Sequence, residues 1–334
     1  MTSTHIDVGA IDFAALGGWM DGQGLPGGPI TEVAPVLGGT QNVMVRFERG
    51  GRPYILRRPP LHARQKSNEV LRREARLLGV LRDTRVPAPR LIAAQTAQEP
   101  VFYLMEPVDG FNPSTGLPAL HAGDPAIRHR MGLEAAAALA ELGRVDPGRL
   151  PGFGHPEGFL ERQVPRWLGE LDSYGRLDGY PGPDIPHLDG TAAWLEANRP
   201  AGFTPGIMHG DYHFANLMFA HDGPRVAAIV DWEMCTIGDP LLDLGWLLAT
   251  WPSNNGHVPG LPSPEELVAY YAELSDRDLS AVDWYAVLAC FKLGIILEGS
   301  HARACAGKAP KDIGDLLHQT TLDLFARAQT WISQ

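Results

Sequence analysis

Apolar and polar positions change rhythm along this chain. From Ile30 short runs alternate: I-T-E-V-A-P-V-L, N-V-M-V-R-F-E and P-Y-I-L-R-R, separated by G-G-T-Q and R-G-G-R. Alternation between glycine-containing turns predicts three strands. From Ser67 to Leu81 the spacing becomes helical, with Val70, Leu77, Leu78 and Leu81 on one stripe. Two further runs, P-R-L-I-A-A and V-F-Y-L-M-E, predict strands, and the pattern dissolves into turn residues over Met105–Gly110. Helical spacing dominates thereafter. Asp124-Pro125 and Ser263-Pro264 each set an N-cap residue before a first-turn proline. Further helices are expected near residues 157–173, 190–198, 279–299 and 311–333, with Pro165 breaking or kinking the first. One stretch interrupts the helices: two short apolar runs around the turn His221-Asp222-Gly223-Pro224, read as a hairpin.

The elements imply an α+β chain in three parts. Residues 1–29, rich in Gly and Pro, read as a flexible segment; residues 30–106 as a β-rich lobe; residues 107–334 as a helical lobe. The 334 residues include 44% hydrophobic and 20% charged positions, enough apolar surface to bury a core. A net charge of −11 argues against a dedicated nucleic-acid binder. The longest apolar run, Trp284–Leu297, is interrupted by Lys292 and is too short to span a bilayer. Three cysteines, Cys235, Cys290 and Cys305, show no C-x-x-C spacing. With no secretory pattern at the N-terminus, they point to a reducing cytoplasm. Charge is uneven: residues 1–106 hold 13 Lys+Arg against 10 Asp+Glu, leaving 15 against 29 for the rest.

Candidate chemistry narrows the picture. Gly22, Gly24 and Gly27 match G-x-G-x-x-G, the only support for a dinucleotide-dependent oxidoreductase. No strand precedes them and Pro26 lies inside, so the match is rejected. Gly38, Gly39 and Thr40 form the candidate phosphate turn, because glycine lets backbone N–H groups approach phosphate oxygens. On the third strand Ile55 and Arg57 share one face. If that face looks at a nucleotide, Ile55 covers the base and Arg57 reaches the phosphates. Glu74 falls on the buried stripe and needs a cation. Arg57 is one candidate; Arg73 and Arg76 are others.

The most informative segment is I-M-H-G-D-Y-H-F-A-N-L-M-F, followed by R-V-A-A-I-V-D-W-E and G-D-P-L-L-D-L. Asp211 precedes Asn216 by five positions, and the hairpin would bring Asn216 and Asp231 to one end. Phosphoryl transfer from ATP needs such a set: oxygen ligands for Mg²⁺ and a carboxylate to orient the acceptor hydroxyl. The alternation His209, Asp211, His213 could instead suggest zinc, but zinc leaves the downstream Asn and Asp unexplained.

These motifs resemble the aminoglycoside-phosphotransferase-like family, relatives of protein kinases. With V-L-G-G-T-Q-N and Y-I-L-R-R-P-P, the chain looks most like the kinase-like domain associated with acyl-CoA dehydrogenases. The resemblance covers about residues 30–330. It implies a bilobal protein-kinase-like fold with a small antiparallel β lobe, one main helix and a larger helical lobe. It implies Asp211 as catalytic base, Asn216 and Asp231 as magnesium ligands, and Gly38–Thr40 as the phosphate loop. Glu74 would pair with the phosphate-binding cation, and Met105, Glu106 and Val108 would contact adenine. Two departures stand out. The family's usual strand lysine is missing, leaving Arg57 to serve, and His213 stands where protein kinases place a lysine.

The expected activity is transfer of the γ-phosphoryl group of ATP to a hydroxyl of a small molecule. Hydroxy acids, hydroxyacyl thioesters and aminoglycoside-like compounds are the candidate acceptors. A nucleotide-binding homologue impaired in turnover is the alternative, motivated by the missing lysine. No nucleic-acid or membrane partner is expected, and the oligomeric state is not readable.

Overall fold

Five short runs in the first third of the chain pair into one antiparallel sheet. The computed structural model describes residues 11–36, 42–60, 66–251 and 259–333. The strands are β1 (Ile30–Pro35), β2 (Val43–Arg49), β3 (Arg52–Arg58), β4 (Leu91–Gln95) and β5 (Phe102–Met105), in the order β1-β2-β3-β5-β4. Alternation places Val45, Phe47, Tyr54 and Leu56 in one core cluster with Leu104. Phe47 and Tyr54 face each other across the β2–β3 ladder with rings 5.3 Å apart.

The expectation of a flexible N-terminal segment is corrected for its described part, residues 11–29, which includes a helix. Residues Phe13–Gly22 form a helix, α1, capped by Asp12, which accepts a hydrogen bond from the Ala15 N–H at 2.9 Å. Leu16 and Met20 enter the sheet's core cluster, and Arg49 ties down the following turn through Asp21 at 2.6 Å and the Gly28 carbonyl at 3.0 Å. Only two apolar side chains of α1 are buried, and Gly17-Gly18 lower its propensity. Tertiary packing forms this helix, which the local pattern could not announce.

The helix α2 spans Ser67–Leu81 as expected. Its buried face holds Leu71 and Ala75 beside Leu77, Leu78 and Leu81, while Val70 is only half-buried. Glu74 lies on that face and is 1% exposed.

The chain divides into two compact units. The first runs to Pro118 and recovers Leu217–Glu233, so its boundary is neither single nor at residue 106. The recovered piece is the expected hairpin, β7 (Leu217–Phe219) and β8 (Val226–Ile229), with Leu217 opposite Ile229. Phe111 and Phe219 exchange backbone hydrogen bonds at 2.8 and 2.9 Å, and the Ile229 N–H donates to the Pro87 carbonyl at 2.8 Å. Gly110 permits this approach, since a Cβ there would stand 2.7 Å from the Phe219 oxygen.

The second unit comprises Ala119–Asn216 and Met234–Gln334. Its helices are α3 (Ala119–Gly123), α4 (Pro125–Gly143), α5 (Gln163–Ser173), α6 (Leu188–Ala197), α7 (Leu241–Ala249), α8 (Pro264–Leu274), α9 (Val282–Cys305) and α10 (Lys311–Ile332). Ser263 and Glu266 form a reciprocal cap at the start of α8. Pro165 neither breaks nor kinks a helix: α5 begins at Gln163, which puts the proline in the first turn, where its missing N–H costs nothing. Helix α9 carries the run Trp284–Leu297 and is buried along most of its length. It packs closely on α7, where a Cβ at Gly245 would meet the Tyr285 oxygen at 2.4 Å. A two-stranded ladder that the pattern did not announce pairs β6 (Gly206–Met208) with β9 (Thr236–Gly238). Among the described residues no helix is long and apolar enough to cross a membrane.

Candidate active site

The segment His209–Asn216 follows β6 in the second unit, and hydrogen bonds define its shape. Asp243, fully buried one turn into α7, accepts from the His209 N–H at 2.6 Å and the Gly210 N–H at 2.9 Å. Gly210 has φ +85°, and a Cβ there would come 2.4 Å from the Met234 oxygen, so the glycine is obligatory. The Asp211 N–H donates to Nδ1 of His209 at 3.3 Å, which makes His209 an orienting group. Asn216 donates its amide nitrogen to the Asp211 carbonyl at 3.0 Å and to Asp211 Oδ2 at 3.2 Å. Both bonds use the amide nitrogen and neither uses the amide oxygen. Nε2 of His213 lies 3.4 Å from Asp211 Oδ2.

Burial opposes ionisation of Asp211. The hydrogen bond and charge of His213, the charge of His209 and the Asn216 hydrogen bond outweigh it, and the carboxyl sits below its ordinary value. A depressed carboxyl is ionised at neutral pH and orients a hydroxyl better than it removes its proton early. Asp243 behaves oppositely. Burial pushes it up to about 7, against the two backbone N–H groups and the charge of Lys292.

Lys292 is a participant that the sequence reading missed. It is buried on α9, with Nζ 3.4 Å from the Gly210 carbonyl and 4.5 Å from the centre of the Trp246 ring. Burial lowers it to about 8, while Asp243 and Asp211 pull the other way. The signal was present as the one charge interrupting the run Trp284–Leu297.

In the first unit, β3 and α2 bring Arg57 and Glu74 together at 2.9 Å. Of the candidate cations, Arg57 is thus a partner of Glu74. The Tyr103 hydroxyl, also unanticipated, donates to the other Glu74 oxygen at 3.0 Å. Asp231, two residues beyond β8, places Oδ1 3.5 Å from the same Arg57 nitrogen. Asp231 has φ +65°, a left-handed conformation that strains a non-glycine residue and is held by its surroundings. The chain leaves strand geometry directly afterwards, since Trp232–Met234, with Glu233 at its centre, form a 3-10 turn. Burial opposes the charge on Arg57, but Tyr103 and the carboxylates of Glu74, Asp231 and Glu233 hold the guanidinium above its ordinary value. Burial pushes Glu74 up to about 7, restrained by Arg57 and the Tyr103 hydrogen bond. Arg57 Nε is buried without a hydrogen-bond partner among the described residues.

The other expected nucleotide contacts are distributed as follows. Ile55 is buried and pairs with Met105 across the β3–β5 ladder. The Glu106 N–H donates to the Arg90 carbonyl at 2.9 Å, and its carboxylate lies 3.8 Å from Arg52. Val108 is half-buried. Gly38, Gly39 and Thr40 lie outside the described residues.

A five-stranded antiparallel sheet with one main helix, and a larger helical unit with a braced H-G-D loop, define a protein-kinase-like phosphotransferase fold. The model of the phosphotransferase enzyme family, APH, matches residues 32–285, and the chain belongs to that family. Acyl-CoA dehydrogenase family member 11 of Homo sapiens is 28% identical over 293 residues, covering 82% of this chain and 36% of that protein. The chain thus spans about a third of the length of the curated relatives it matches. A crystal structure from Ralstonia eutropha, provisionally assigned as an aminoglycoside phosphotransferase, superposes with a TM-score of 0.79 at 26% identity, over 96% of this chain and 98% of that one. Aminoglycoside 2'-phosphotransferase-IIIa, solved as its GDP complex, shares the fold with a TM-score of 0.65 at 16% identity, over 95% of this chain and 99% of that one. The family and the fold support a phosphotransferase acting on a small molecule.

Proposed function

We propose that this protein transfers the γ-phosphoryl group of ATP, with Mg²⁺, to the hydroxyl of a small acyl-type acceptor. The observation that carries the reading is the Arg57–Glu74 ion pair at 2.9 Å, with Asp231 at 3.5 Å from the same guanidinium. It supplies a fixed cation where the family's usual lysine is absent. The donor sets suit the groups assigned to them. The Nε–H of Arg57 is buried with no hydrogen-bond partner among the described residues, and a guanidinium binds phosphate as a fork. Asn216 and Asp231 offer the hard oxygen donors that Mg²⁺ prefers. The Leu217–Ile229 pairing begins one residue after Asn216 and ends two before Asp231. Bound Mg²⁺ would neutralise phosphate charge.

The protein's own groups then have separate tasks. Arg57, held by Glu74, orients phosphate oxygens. Asp211, ionised and fixed by Asn216, accepts a hydrogen bond from the acceptor hydroxyl and takes its proton late in transfer. His213 lies close enough to Asp211 to tune its charge. Positioning and charge neutralisation supply most of the acceleration.

Sequence relatives named as acyl-CoA dehydrogenases favour a hydroxy acid or hydroxyacyl thioester over an aminoglycoside. The test is nucleotide consumption with hydroxyacyl-CoAs, free hydroxy acids, sugars, amino alcohols and aminoglycosides, each with and without Mg²⁺. Acceptor-dependent turnover that disappears with EDTA is the expected result. Turnover without added divalent ion would overturn the metal role. Consumption stimulated only by aminoglycosides would overturn the acyl assignment.

A further inference from the structure

Far along the sequence from the residues assigned to phosphoryl transfer, α9 and α10 each carry a carboxylate followed three positions later by a histidine. These are Glu298 and His301 on α9, and Asp315 and His318 on α10. Residues three apart on a helix share a face. Each histidine meets the other helix's carboxylate: His318 Nδ1 lies 2.7 Å from Glu298 Oε2, and His301 Nδ1 lies 3.8 Å from Asp315 Oδ1. The two imidazoles stack with centroids 4.5 Å apart. One ligand atom each from Glu298, His301 and His318 all lie within 4.8 Å of one another.

We propose that this turn pair is a binding site for a divalent transition-metal ion, Zn²⁺ by its donor chemistry, held by Glu298, His301 and His318. Two imidazoles and one carboxylate form a recognised zinc donor set, and carboxylate-x-x-His motifs on bundled helices present ligands to other transition metals, iron and manganese.

Three observations separate this cluster from an ordinary polar patch. First, Glu298 is completely buried, and its other oxygen accepts from the Tyr180 hydroxyl at 2.7 Å, which fixes the carboxylate's direction. Second, His301 Nδ1 is buried and has no hydrogen-bond partner among the described residues. Its Nε2 lies 3.5 Å from Cys305 Sγ. A tautomer protonated at Nε2 leaves the Nδ1 lone pair free, as a ligand requires. Third, both helices approach closely, since a Cβ at Gly314 would come 2.3 Å from the Ala304 Cβ. The ligands therefore stand on rigid elements. Asp315 is half exposed and already pairs with Lys311 at 2.5 Å, so it serves at most as a neighbouring charge.

Metal entry would replace the contact between His318 Nδ1 and Glu298 Oε2, and a neutral His318 that ligates through Nδ1 would carry its one N–H on Nε2. The ion would clamp α9 to α10.

The test uses the full chain without an affinity tag, in excess Mg²⁺. Zn²⁺ is titrated against a chromogenic chelator, and calorimetry gives the stoichiometry independently. The expected result is one tight Zn²⁺ per chain. Binding should weaken at least tenfold in His301→Gln and in His318→Gln, and be unchanged in the exposed control His129→Gln. Tyr180→Phe should weaken it less. Circular dichroism confirms the fold of each variant. Should His318→Gln fail to fold, a Zn²⁺-dependent rise in the wild-type thermal midpoint, absent in His301→Gln, carries the same information. Wild-type affinity no tighter than that of His301→Gln would overturn the site.

Discussion

One terminal nitrogen of Arg57 faces two carboxylates, Glu74 at 2.9 Å on one side and Asp231 at 3.5 Å on the other. A flexible surface arginine would have to be ordered at each turnover; this one is ordered in advance. Arg57→Ala should lower kcat/KM for ATP by about 10²–10³, the usual loss for one well-placed charge-stabilising donor. Arg57→Lys keeps the charge but loses the fork, and should fall by less. Steady-state kinetics at varied ATP decide the point. An unaffected Arg57→Ala enzyme would remove the residue from phosphate binding.

Asp211→Asn should reduce phosphoryl transfer by about 10²–10⁴ while changing nucleotide affinity by less than about twofold. Single-turnover kinetics and equilibrium titration measure the two separately. Near-normal transfer would show that Asp211 is not the group receiving the hydroxyl proton.

Glu74 makes stability depend on pH. Its carboxyl rises from 4.5 in the exposed chain to about 7 when folded, so the folded protein holds this proton more tightly. The contribution is fully present below pH 4.5 and is lost as pH rises through 7. Glu74→Gln does not titrate. Its thermal midpoint should therefore gain on the wild type between pH 4.5 and 7, and hold a constant offset above. A pH-independent offset over the whole range would contradict the assignment.

Lys292→Met replaces a buried cation with an apolar side chain of similar length. Without the charge facing the Gly210 carbonyl and Asp243, the loop carrying Asp211 should be less firmly placed. The expectation is a roughly tenfold fall in kcat with little change in KM for ATP, the pattern of an interaction made in the transition state. Unchanged kcat would make Lys292 a packing residue only.

Gly210→Ala should destabilise the chain. A left-handed backbone costs a non-glycine residue about 1–3 kcal/mol, before the clash with the Met234 oxygen is counted. For a domain of about 150–250 residues that is roughly 2–12 °C in thermal midpoint. Calorimetry checks it, and an unshifted midpoint would mean that the loop can relax.

Legibility followed the range of the interactions. Helix α2, the caps of α4 and α8 and the β7–β8 hairpin were readable because their determinants lie within a few residues. Helix α1 was not, because its two buried side chains acquire a partner only when β2 and β3 exist. The pairing of β6 with β9 joins residues about thirty positions apart, across a loop and a hairpin, with only three residues in each strand. Tyr103 was hidden in a strand pattern where a tyrosine is unremarkable, and Lys292 looked like a mere interruption of an apolar run. In both cases the deciding contact comes from another element.

The hairpin at Leu217–Glu233 has a consequence for how the molecule is made. The first unit lacks two of its strands until about a hundred further residues have emerged. A nascent chain that has reached only Pro118 exposes the Phe111 backbone, which later exchanges hydrogen bonds with Phe219, and a Pro87 carbonyl without its donor from Ile229. Synthesis therefore cannot finish this protein one lobe at a time from the N-terminus. A fragment cut at that apparent boundary should be a poor folder, whereas one that ends beyond residue 233 at least contains every strand of the first unit.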